Sequence, residues 1–192
     1  MPSTRNTRPR YARERGSVNR SPTTSPTRVR AYAVTLVLTL VATALTVDYW
    51  AQQALPGSPI PLPVLELRLA FNRGMAFSLG DSLPLWVIVS VTATITAGVA
   101  AYGWHSARHG EQWTTVALAL ILAGALSNVL DRLVDGAVTD YFHTGWWPTF
   151  NLADIYITCG VVLMIGAALA RERAQGLPLC PQCPTAPDRE RA

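Results

Sequence analysis

Two aspartates, Asp140 and Asp154, stand fourteen residues apart and flank one connection between apolar segments. Two carboxylates held close cannot both ionise easily, so such a pair shares a proton. One member can then activate water while the other protonates a carbonyl or a leaving amine, which is hydrolysis without a metal. Asp48, Asn72, Asn128 and Asp131 are other polar residues near the ends of these apolar segments or in the connections between them. Plainer readings stand beside these. Asp48 can cap the end of an apolar segment, and Asp154 taken alone is an acid favoured in the first turn of a helix. Asp131, followed by Arg132, reads more readily as a local ion pair or helix-end contact than as chemistry. Asp81 and Asp135 read as solvated loop residues.

Other cleavage chemistries lack parts. Ser78 and Ser127 have no well-placed histidine, because His105 and His109 belong to a connection on the wrong face. His143 lies on the right side but has no obvious Ser or Cys nucleophile. Cys159 falls one to two turns beyond Asp154 in an apolar run, where it is expected to be buried and protonated. One histidine near the carboxylates does not make a metal cluster, so neither metal nor cofactor is expected. Cys180 and Cys183 form CPQC, at best half a zinc site, and three cysteines do not make a disulfide scaffold. The sequon Asn19-Arg20-Ser21 lies in a basic tail and reads as chance.

The elements that must position these residues are apolar. Of 192 residues, 49% are hydrophobic and only 15% charged, and the charges collect near the two ends and in short connections. Four apolar runs, 31–50, 83–103, 114–130 and 152–170, are each long enough at ~1.5 Å per residue to cross a ~30 Å hydrocarbon layer. The first is longer than a signal-peptide core and shows no convincing cleavage site before Asp48, so it reads as a retained helix. The fold expected is an all-α membrane protein. It has four transmembrane helices and a small extracytoplasmic β element between helices 1 and 2. Alternation at Leu65, Leu67 and Leu69 marks that strand, ahead of a turn at Asn72-Arg73-Gly74. The second connection, 131–151, carries Trp146, Trp147 and Pro148, as expected at a membrane interface.

All sixteen basic residues are Arg, and eight fall between Arg5 and Arg30. With no interleaved aromatic but Tyr11, and diluted by Pro, Ser and Thr, this head reads as a disordered tail rather than a nucleic-acid arm. Four spans put both termini on one side with the 104–112 connection. That side holds thirteen Arg against Arg68, Arg73 and Arg132 on the other, which places both termini in the cytoplasm. Asp48, Asn128, Asp131 and Asp154 then lie near the outer boundary, with Asn72 and Asp140 in the outer connections. Acids inside a membrane cost several kcal/mol and usually have a function. A proton-coupled transporter is the rival reading, but a relay needs ionisable groups at several depths. Spans two to four carry none through their middle and inner portions. A non-catalytic scaffold gives no reason for the cluster.

Three ordered segments now carry a resemblance: FNRGMAFS at 71–78, SNVLDRLVDGAVTDYF at 127–142 and FNLADIYITCG at 150–160. Over residues 31–170 the chain resembles the lipoprotein signal peptidase (signal peptidase II) family of membrane aspartyl proteases. The resemblance implies that Asp140 and Asp154 are the catalytic dyad. It implies that Asn72, Asn128, Arg132 and Asn151 line the site, with Asp131 as a supporting acid and Asp48 as the acid near the outer end of the first span. The implied substrate is a prolipoprotein whose cysteine bears a diacylglyceryl group, cut just before that cysteine. The implied partners are that substrate and membrane lipid, with no nucleic acid, for an expected monomer. Departures from the family pattern are Ser127 for a Gly, Val138-Thr139-Asp140 for Val-Val-Asp, and Gln52 for a Lys. Residues 1–30 and 171–192 lie outside the resemblance, are expected to be cytoplasmic tails, and receive no catalytic role.

Overall fold

In the computed structural model, residues 25–73, 83–109 and 111–175 are described. Residues 1–24 of the expected Arg-rich head (1–30), the 74–78 part of the first motif, Asp81 and the CPQC segment lie outside them.

Four helices carry the four apolar runs: α1 (Pro26–Ala54), α2 (Leu85–Arg108), α3 (Gln112–Asp135) and α4 (Leu152–Gln175). All four are long and apolar enough to cross a membrane. Each outruns its apolar segment, because polar residues at a bilayer surface can continue a helix that hydropathy alone would end. Helix α1 starts at Pro26, whose fixed φ suits a first helical position, so residues 26–30 are helical rather than part of a tail. Its 29 residues span roughly 44 Å, well beyond the hydrocarbon thickness.

The helices pack through small residues. Val37 and Val41 of α1 meet Ala119 and Ala123 of α3 in one buried cluster. A side chain at Gly124 of α3 would collide with the Ala153 carbonyl and come within 2.7 Å of Ile157, and one at Gly160 of α4 would lie 2.7 Å from the Ala117 carbonyl. These two glycines let α3 and α4 approach backbone to backbone, the usual device where lipid offers no hydrophobic drive between helices.

At one end of the bundle the connections form a three-stranded antiparallel sheet, ordered β1 (Ile60–Pro61), β2 (Glu66–Asn72), β3 (Val138–His143). The sheet is larger than expected. Its third strand comes from the connection between α3 and α4, which the tryptophans had marked only as interfacial. Gly136, with φ +72°, ends α3 in the left-handed conformation that glycine tolerates, and its N–H bonds the Arg132 carbonyl. Two residues later β3 begins. Beneath the sheet, Ala51 of α1 and Leu55, just past its end, pack against Tyr141.

Candidate active site

Strand β3 has two faces with separate tasks. Successive side chains of a strand alternate, so Val138 and Asp140 share one face and Thr139 and Tyr141 the other. Ala70 lies opposite Asp140 and Asn72 opposite Val138. Asn72 is therefore the diagonal same-face neighbour of Asp140, and its Nδ2 donates to Asp140 Oδ2 at 3.3 Å. The other face grips α1. Gln52 Nε2 donates to Thr139 Oγ1 at 2.8 Å and to Asp135 Oδ2 at 2.8 Å. Thr139 N–H donates to Asp131 Oδ2 at 2.6 Å. The Tyr141 hydroxyl hydrogen-bonds Asp48 and accepts the Leu152 N–H at 3.1 Å.

Asp154 is set by the start of α4. Asn151 Oδ1 accepts the Asp154 N–H at 3.0 Å, while Asp154 Oδ2 accepts the Asn151 N–H at 3.3 Å. This is a capping box with Asn and Asp in its two places, satisfying two orphan donors at once. Asn128 on α3 closes the ring. Its Nδ2 donates to Asp154 Oδ1 at 3.1 Å, and its Oδ1 accepts from Asn151 Nδ2 at 3.0 Å. Both oxygens of Asp154 thus accept N–H groups, and its carboxylate is fixed against rotation.

Both aspartates line one cavity of about 670 Å³, together with Asn72, Asn128, Arg132 and Thr158. Trp146, Trp147, Pro148 and Phe150 form one apolar wall, and Ile155 and Cys159 form another. Asp140 is 3% exposed, and its Oδ1 has no hydrogen-bond partner among the described residues. Burial, and next the charge of Asp154, push the Asp140 carboxyl up to about 7 against the pull of Asn72 and the Arg132 guanidinium. Burial also raises the Tyr141 phenol far above its ordinary value, so it remains a donor.

The fold therefore brings Asn72, Asn128, Arg132, Asp140 and Asp154 to one cavity and places Asn151 directly behind it. Asp48 and Asp131 are not on the cavity wall. Asp48 is buried within α1, six residues before its end, so the reading of a helix cap is replaced by that of a buried acceptor for Tyr141. Asp131 reaches the backbone of β3. Asp135 ends α3 and accepts from Gln52 rather than standing in a loop. Cys159, expected to be buried, is exposed and borders the cavity. No cluster of potential metal ligands occurs among the described residues. The sequence reading missed Tyr141 and Thr139 as clasps, although strand alternation around Asp140 would have pointed both away from it. It also missed the Asn-x-x-Asp spacing of the capping box.

A family model described as Signal peptidase (SPase) II matches residues 33–170. The chain belongs to the signal peptidase II family. A lipoprotein signal peptidase of Burkholderia mallei is 42% identical to it over 141 residues, covering 71% of this chain and 81% of that one. One from Rhodococcus jostii is 33% identical over 158 residues, covering 78% and 77%. Two solved bacterial membrane enzyme structures, both obtained by the in meso method, share its fold. They superpose with TM-scores of 0.65 and 0.62 at 23% and 24% identity. The first alignment covers 79% of this chain and 95% of the other, the second 72% and 93%. As a signal peptidase II, the chain is a protease with four helices able to cross a bacterial membrane.

Proposed function

We propose that this signal peptidase II removes signal peptides from diacylglyceryl-modified prolipoproteins, cutting before the lipidated cysteine, with Asp140 and Asp154 as its catalytic pair. One observation carries the reading: two carboxylates from independent elements, a strand and a helix start, face one partly apolar cavity closely enough for the charge of one to raise the other. A structural acid would need only its capping partners, which Asp154 already has. A second buried acid on the same wall, with one oxygen unpartnered, costs stability and asks for a chemical reason.

In the mechanism, Asp140 carries the shared proton on its unpartnered Oδ1. Asp154, both of whose oxygens accept N–H groups, is the base that takes a proton from water as that water attacks the scissile carbonyl. Asp140 hydrogen-bonds the developing oxyanion and gives up its proton. Arg132 on the same wall adds positive potential where negative charge develops. The proton held by Asp154 passes to the amine as the C–N bond breaks, and the proton lent by Asp140 returns to it as the C=O re-forms, leaving a carboxylic acid and a free amino terminus. The aromatic wall at 146–150 and the apolar side at Ile155 and Cys159 suit acyl chains that stay in lipid while the peptide meets water. Both termini are assigned to the cytoplasm on the Arg distribution, with the cavity near the outer face.

The test is incubation of purified protein with a diacylglyceryl-modified prolipoprotein, read by gel shift. Asp140→Asn and Asp154→Asn should each remove cleavage, by at least the ~10²–10⁴-fold typical of general acid–base help, while both variants still insert. Activity kept in both would end the proposal.

A further inference from the structure

A second cavity lies at the opposite end of the bundle from the aspartates, and the chemistry above makes no use of it. It is a groove of about 140 Å³ between α1, α2 and α3, walled by Val34, Val37, Leu38, Val99, Gly103 and Leu118. Its walls are almost wholly apolar, with one charged residue, Arg30. The Arg30 guanidinium lies 4.6 Å from the ring centre of Trp104. Its Nε is buried without a hydrogen-bond partner among the described residues. The one ion pair among those residues joins Arg171 to Glu111 and leaves Arg30 out.

We propose that this groove binds one anionic phospholipid, with an acyl chain between α1 and α2 and its phosphate on Arg30. A buried donor on a permanent cation is costly until an acceptor reaches it. A phosphate offers paired oxygens to the planar guanidinium fork, which stacking on Trp104 already holds in place. The tail accounts for the apolar walls, which a free phosphate would leave empty. The headgroup sign follows from the surroundings. Arg28 stands two residues before Arg30, and the first turn of α1 carries no acid. That excess repels the cationic part of a zwitterionic headgroup and favours net-negative lipid. Basic pockets between spans suit acidic headgroups for this reason. In the orientation proposed above the lipid belongs to the cytoplasmic leaflet, although the contact itself does not depend on that orientation. Contacts between α1 and α2 are sparse beside those of α3 with α4, so a chain lodged between them would also brace the bundle.

The experiment uses the full chain in neutral detergent, titrated with phosphatidylglycerol or with phosphatidylcholine of identical chains. Native mass spectrometry reads the bound lipid, and thermal unfolding runs in parallel. The wild type should retain one phosphatidylglycerol with about fivefold preference, the factor that ~1 kcal/mol per basic side chain corresponds to. Its Tm should rise with phosphatidylglycerol concentration, as for any ligand of the folded state. Arg30→Gln should bind the two lipids equally. Gly103→Leu should fill the groove and lose the retained lipid, since a Cβ at Gly103 meets only Leu118 at an ordinary 3.5 Å. A wild type that does not distinguish the lipids overturns the proposal whatever the variants do. So does a preference that survives Arg30→Gln, which would make Arg30 merely a side chain reaching from the bilayer toward water.

Discussion

Asp140 is where the chemistry and the stability of this chain pull apart. Its carboxyl rises from the ordinary 3.8 to about 7, chiefly through burial. Between those values the folded protein holds a proton that the unfolded chain has released, so stability falls as pH rises across that window and is lowest above about 7. Asp140→Asn cannot ionise. Its Tm should match the wild type near pH ~4 and exceed it at pH ~8, by the equivalent of roughly 1–3 kcal/mol, a difference that calorimetry across pH would detect. The proposed mechanism needs the same proton for cleavage, so wild-type rates should drop about tenfold per pH unit above about 7. A flat profile across that range would take the acid role away from Asp140. Asn72 donates to the other oxygen of Asp140 and favours its charged form. Asn72→Ala should therefore shift this limb to higher pH besides lowering the rate.

At the scale of elements, the separation of the two aspartates is fixed by how β3 and the start of α4 are pinned. Tyr141 is the pin. Its hydroxyl joins Asp48 of α1 to the Leu152 N–H at the first turn of α4. Tyr141→Phe removes both contacts and leaves Asp48 buried without that donor. We expect a loss of ~1–3 kcal/mol in stability, measured by thermal unfolding, together with a lower kcat at little-changed KM. A change in KM alone would point to the cavity wall instead. The sequence was most legible here for the helices, because twenty apolar residues admit few other structures in lipid. It was least legible for β3. Residues 138–143 read as Val-Thr-Asp-Tyr-Phe-His, whose alternation serves two protein faces rather than core and water, so hydropathy carries no period. The aspartates and asparagines were found through chemistry and spacing. Thr139 and Tyr141 were not, because their roles exist only once β3 crosses α1.

Taken whole, the molecule is a close pair, α3 and α4, against which α1 and α2 lean. Gly160→Ala should test that closeness, since its Cβ would meet the Ala117 carbonyl and the Ile121 side chain at 2.7 Å. We expect destabilisation of about 1–3 kcal/mol. Gly98→Ala, with nothing within 4 Å, should leave Tm nearly unchanged. Topology has its own measurement. With Arg concentrated beside both termini, reporter fusions at residue 175 should be active only on the cytoplasmic side, and fusions within 60–66 only outside.

The cavity draws Asn72 from the connection after α1, Asp140 from the strand after α3, and Asp154 from the first turn of α4. A ribosome delivers these in that order, Asp154 last. On the roles proposed for Asp140 and Asp154, an unfinished chain therefore holds one half of the pair and cannot cut its neighbours, or itself, while it is being made.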